Sequence, residues 1–174
     1  MKRILFFLIP FILFPVLAFS ILPVPPYVNN CHGELWESGA GSNITVVAAG
    51  TYYKWTTSTV GTESGSRFVD CDTTSDTCVV SSTRCGGIYK AALSASLSGP
   101  ANSDVHCELF VNEVGMDKIS FDRTLGVAAT IGVAATSGFL TLVYGDAVSA
   151  RCTSDGNGDV VTIYHMNMNI HKIL

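Results

Sequence analysis

The chain has 174 residues, a formal charge of −4 and a pI near 5.4, with 14% charged and 48% hydrophobic residues. Nothing in this balance points to nucleic acid, whose binders carry clustered lysine and arginine against the phosphates. Gly, Ser, Thr, Ala and Val dominate the remainder, a mixture of β-branched and turn-forming residues that suits an exported all-β domain.

Lys2 and Arg3 precede an apolar run from Ile4 to Phe19, and Ala18-Phe19-Ser20 places small residues at the two positions a signal peptidase inspects. Residues 1–20 therefore read as a signal peptide cleaved after Ser20, leaving no membrane span. The competing reading is a retained anchor, since an uncleaved run of this length nearly crosses a bilayer. Pro10, Pro15 and the non-helical ILPVPPYV that follows favour cleavage. Residues 21–43 form a Pro/Gly/Ser-rich arm expected to be irregular, and the domain itself is expected over 44–174. About 154 residues then remain, enough for one domain with its own core. Asn43-Ile44-Thr45 is a glycosylation sequon, to be used at Asn43 where the host modifies exported proteins.

Six cysteines, Cys31, Cys71, Cys78, Cys85, Cys107 and Cys152, all follow the leader. An even number in an exported chain argues for disulfides, although six allow 15 pairings. Zinc fails on spacing, because no C-x2-C pair is present. The localisation expected is secreted, extracellular, periplasmic or at the cell surface.

From Ile44 onward the pattern is strand-like: ITVVAA, TYYKWTT, RFVDCD, TCVVSS, GIYKAALSASLS, HCELFVNEV, KISFDRTL, GVAATIGVAAT, FLTLVY, AVSARCTS and DVVTIYHMNMNIHKIL. The spacers hold turn residues, among them Ser98-Gly99-Pro100 and Asp155-Gly156-Asn157-Gly158. About ten short strands with such spacing imply an antiparallel sandwich or barrel. In FLTLVY-GD-AVSARC the apolar run is cut by Gly145-Asp146 and resumes at once, which reads as strand, tight turn, strand. In the last segment strict alternation puts Val160, Thr162, Tyr164, Met166, Met168 and Ile170 on one face and His165 and His171 on the other.

Gly87-Ile88-Tyr89, then Glu108-Leu109-Phe110-Val111-Asn112, then Ser137-Gly138-Phe139-Leu140-Thr141-Leu142 with Gly145-Asp146-Ala147-Val148 occur in that order. This series resembles the tumour necrosis factor and complement component 1q-like jelly-roll superfamily, and also the trimeric tips of phage fibres, over about Tyr52 to Leu174. The resemblance implies a two-sheet antiparallel jelly roll of about ten strands that associates as a homotrimer. It places Cys107 beside Cys152, and on the same frame Cys71 pairs with Cys78 and Cys31 with Cys85. On it Tyr164, Met166 and Met168 either line the core or meet a neighbouring subunit.

No catalytic constellation stands out: His32, His106, His165 and His171 are scattered, and no G-x-S-x-G surrounds a serine. Asp155, Asn157 and Asp159 present oxygens at alternate positions, as a calcium loop does, but no Glu follows at the bidentate position; a Gly-rich turn is the plainer reading. Trp36, Tyr52, Tyr53 and Trp55 would stack on sugars if they shared a surface, and would be core if they did not. The function expected is a secreted, non-enzymatic binding or adhesion module, a trimeric head for a protein or glycan. The alternatives are a structural surface or virion decoration and, last, an enzyme of metal or sugar chemistry on the same fold.

Overall fold

The computed structural model describes residues 30–55, 61–63, 67–127 and 130–174. The leader, 1–20, and the arm up to residue 29 lie outside them. The described residues form eleven strands: β1 (His32–Val46), β2 (Tyr53–Lys54), β3 (Gly61–Glu63), β4 (Val69–Asp72), β5 (Thr77–Val80), β6 (Gly87–Ser98), β7 (Asp104–Val111), β8 (Val114–Thr124), β9 (Gly132–Leu142), β10 (Ala147–Ser154) and β11 (Asp159–Lys172). A 3-10 turn at Thr83–Cys85 precedes β6. The strands make two antiparallel sheets, sheet I in the order β3-β1-β11-β6-β9 and sheet II in the order β4-β5-β10-β7-β8, with β2 added to β10. The chain changes sheet between β6 and β7 and again at each step from β8 to β11, which is the winding of a jelly roll.

Alternation along the strands builds the core. Tyr89, Leu93, Leu97 and Ile163 of sheet I face Val80, Leu109, Ile119 and Val148 of sheet II, all fully buried. Cys107 and Cys152 lie opposite each other on β7 and β10 and are bonded, as are Cys71 and Cys78 on β4 and β5 and Cys31 and Cys85 near the start of the domain. Gly33 lets β1 lie against the second of these bonds: a Cβ there would meet Cys71 Sγ and Val69 Cγ1, each at 2.6 Å.

Two expectations are corrected. The Gly/Ser-rich stretch to Asn43 is not irregular, because β1 runs through it and pairs with β11 on both sides of a register shift between Ser38 and Ser42. Such bulges are where a strand accommodates glycine and serine. The Gly145-Asp146 turn joins two strands as expected, and it carries the chain from β9 in sheet I to β10 in sheet II. Gly145 takes φ 89°, and Asp146 accepts from the Val143 N–H at 2.8 Å and from Asn112 Nδ2 at 2.7 Å.

The second correction concerns β11. A register shift between Ile163 and His165 makes a bulge at Tyr164, so the inward side changes parity there. Val161 and Ile163 point inward before it, and Met166, Met168 and Ile170 after it. Met166 and Met168 are 1% and 2% exposed, which makes them core residues and removes them as subunit contacts. Tyr164 sits at the bulge, where its hydroxyl accepts from Ser98 Oγ at 3.4 Å.

Candidate functional site

The strand order leaves each sheet one outward face, and the two differ. On sheet I, register places Trp36, Asn167, Ser94 and Ala135 in one cross-strand row and Glu34, Asn169, Ala92 and Ser137 in the next. The middle of the face is thus made of small side chains, while Val133 and Phe139 at its β9 margin are 68% and 57% exposed. A hollow of about 530 Å³ opens here, floored by Ala95 and Met166 and walled by Trp36, Val133 and His165. Asn167 Nδ2 donates to Glu34 Oε1, and Asn169 Nδ2 donates to Asn167 Oδ1 at 3.1 Å. The buried Ser96 hydroxyl in the hollow has no hydrogen-bond partner.

On sheet II the alternation of HCELFV turns His106, Glu108 and Phe110 outward. The segment before β2 lays Tyr52 across them, edge-on to the His106 ring at 5.6 Å and to Phe110 at 5.1 Å. Arg151 covers Phe110 from the other side at 4.6 Å and pairs with Glu113. Glu108 is 2% exposed, and its carboxyl lies against Gly115, where a Cβ would come within 2.6 Å of Oε1. Burial raises the Glu108 pKa above the ordinary carboxylate value, although the Tyr52 hydroxyl, which donates to it, pulls the other way. Burial, and then that bond, push the Tyr52 hydroxyl up to about 12. His106 lies between carboxylates, 2.5 Å from Asp122 and 3.8 Å from Glu108. Such a line would serve proton transfer if substrate could reach it. Here the chain's own Tyr52 occupies the approach.

No family profile matches the sequence, and no curated protein matches it. The fold does have solved counterparts. The globular domain of zebrafish complement 1qA protein superposes with a TM-score of 0.56 at 14% identity, over 83% of this chain and 98% of that one. The Eiger TNF of S. frugiperda gives 0.54 at 8% identity, over 83% of this chain and 93% of that one. This chain has the complement 1q and tumour necrosis factor-like jelly-roll fold.

On this jelly roll the residues singled out in the sequence fall in separate places. The four aromatics form no platform: Trp36 stands on sheet I, Trp55 is buried at 2%, Tyr53 packs against the core with its hydroxyl accepting from the Ala48 N–H, and Tyr52 covers sheet II. The oxygens of the candidate calcium loop are directed to donors of the fold. Asp155 accepts from the Asp104 N–H, Asn157 from the Ala49 N–H, and Asp159 from the Ser103 and Ser154 hydroxyls. Among the described residues no group of three or more His, Cys, Asp or Glu is placed to hold a metal. Asn43 is exposed on sheet I and accepts from Thr162 Oγ1. His32 and His171 stack on each other with centroids 6.1 Å apart, and His165 borders the hollow. The Glu108 cluster was missed in the sequence; its signal was a carboxylate in an otherwise apolar strand.

Proposed function

We propose that this jelly roll is an exported, non-enzymatic binding module working as a homotrimeric head, with the outer face of sheet I as the subunit contact and the loops recognising a protein or glycan. The observation that carries the reading is that face. Its rows are small and almost uncharged at the centre, two large apolar side chains stand exposed at one margin, and the hollow between contains an unpartnered hydroxyl. Interface centres are depleted of charge in this way, and cyclic closure uses such a face up without leaving a free patch. Three disulfides support export, since such bonds persist in oxidising compartments. The covered state of Glu108 supports a binding rather than a catalytic role.

Light scattering behind a sizing column tests the assembly. The exported chain is expected at about three chain masses; a monomer at micromolar concentration overturns the trimer. Glycan and protein arrays then test recognition. Silence there, together with incorporation into a purified cell surface or particle, would replace recognition with a decorative role.

A further inference from the structure

The two ends of the sandwich differ in charge. Of the ten lysines and arginines, two are in the leader and four of the rest, Arg67, Arg84, Lys90 and Lys172, gather where the described chain begins at Asn30. Backbone contacts tie them together around the Cys31–Cys85 bond. His32 and Arg67 exchange N–H···O bonds, the Lys172 N–H donates to Cys31 O at 2.8 Å, and Lys172 Nζ donates to Arg84 O at 3.0 Å. Lys90 lies in register with His171, which stacks on His32. Among the described residues none of the four cations is in an ion pair. Asp70 on β4 is an exposed carboxylate three residues from Arg67. The opposite end instead collects Asp104 and Asp159, the first residues of β7 and β11, and Asp155 in the turn before β11.

Large apolar side chains stand among the cations. Phe68 is 47% exposed with the Arg67 guanidinium 5.3 Å from its ring, and it holds φ 59°, a conformation bulky residues rarely adopt. Ile88 and Ile173, linked by the Ile173 N–H to Ile88 O bond, are 38% and 45% exposed. Cations around exposed aromatic and aliphatic groups are the composition of a membrane-surface contact.

We infer that this arm end docks on an anionic lipid bilayer, with Arg67, Arg84, Lys90 and Lys172 at the phosphates and Phe68, Ile88 and Ile173 in the interface. A soluble polyanion would use the cations but leave the three apolar groups in water, which favours the bilayer. Ile88 and Lys90 stand on the outer face of sheet I, Lys90 in register with Phe139, so this surface is that of the single chain.

The test places a tryptophan at this end, Phe68→Trp, and separately at an exposed loop position, Val127→Trp, in the exported chain in whatever form secretion leaves it. Quenching by brominated acyl chains is measured with phosphatidylcholine vesicles and with vesicles containing phosphatidylglycerol, against the unsubstituted chain as baseline. The result expected is added quenching for Phe68→Trp alone, only with anionic lipid, and lost at high salt. The triple variant Arg67→Ser/Arg84→Ser/Lys90→Ser, at exposed positions, should lower partitioning about a hundredfold, near fivefold for each cation. Equal quenching in neutral vesicles, quenching at Val127→Trp, or binding to dextran sulfate or nucleic acid without binding to vesicles would each overturn the inference. Because the salt and lipid dependence is read without the triple variant, a folding defect in that variant cannot mask the result.

Discussion

Sheets I and II share one core yet finish their outer faces in opposite ways. Sheet II is closed by its own chain: Tyr52 lies over Phe110 and Arg151 packs on the same ring, while on the core side two of the three disulfides tie neighbouring strands together. Sheet I has long strands held by backbone pairing, with small side chains along its middle and a hollow left open. A face already covered by its own residues can change without disturbing assembly, whereas a face left bare and uncharged is the one that a second copy can cover. Stability should therefore be concentrated on the outside of sheet II, and association on the outside of sheet I.

The sharpest way to break this contrast is a charge in the central row of sheet I. Ser94 points outward from β6, so Ser94→Arg should convert the proposed trimer fully to monomer while changing the unfolding free energy by less than about 0.5 kcal/mol. Light scattering with a denaturant curve on the same sample checks both halves. A trimer that survives, or a monomer that is also strongly destabilised, would erase the distinction between the faces. On sheet II, replacing Cys107 and Cys152 together by serine releases a loop of 45 residues and should cost about 4 kcal/mol, against about 2.5 kcal/mol for the pair Cys71 and Cys78, which close a separation of only 7. Comparing the two denaturation midpoints checks the order. Next in size, Tyr52→Ala uncovers Glu108 and Phe110 and should cost about 2 kcal/mol without changing the assembly state, as read by thermal melting and sizing.

How much of this was legible follows the range of the interactions. HCELFVN and FLTLVY read as strands because their alternation is local, and the order of the G-x-Y, E-x-x-V-N and G-D motifs carries the winding of the fold. β1 was illegible through ESGAGSN because composition there speaks for a loop, and only pairing with β11, more than a hundred residues away, makes it a strand. The parity of β11 was illegible for a related reason. Val160 to Ile163 are apolar or β-branched on both sides, so nothing local marks the bulge at Tyr164, and Val160 and Thr162 are assigned to the side of the methionines, in place of Val161 and Ile163, unless the pairing with β6 is known. The Glu108 cluster joins Tyr52 to β7 and β8, a contact that no local pattern encodes.

The smallest expected effect is the most diagnostic for sheet II. Because the folded Glu108 carboxyl has a pKa above its ordinary 4.5, the folded state binds more protons than the unfolded one between those two values. Stability contributed by this group is thus present in acid and is lost as pH rises through the folded pKa, the reverse of a salt-bridged carboxylate. Glu108→Gln never ionises, so it is the reference against which the native glutamate is read. The two curves of denaturant midpoint against pH should meet below the ordinary carboxylate range and separate above it, with the glutamine variant the more stable near neutral pH. Tyr52→Phe should widen the gap for the native glutamate, because it removes the donor that holds the pKa down and leaves an ionised carboxylate short of a hydrogen bond worth about 1 kcal/mol. Parallel curves from about pH 4 to about pH 8 would mean that Glu108 is solvated after all. Sheet II would then be as open on its outside as sheet I.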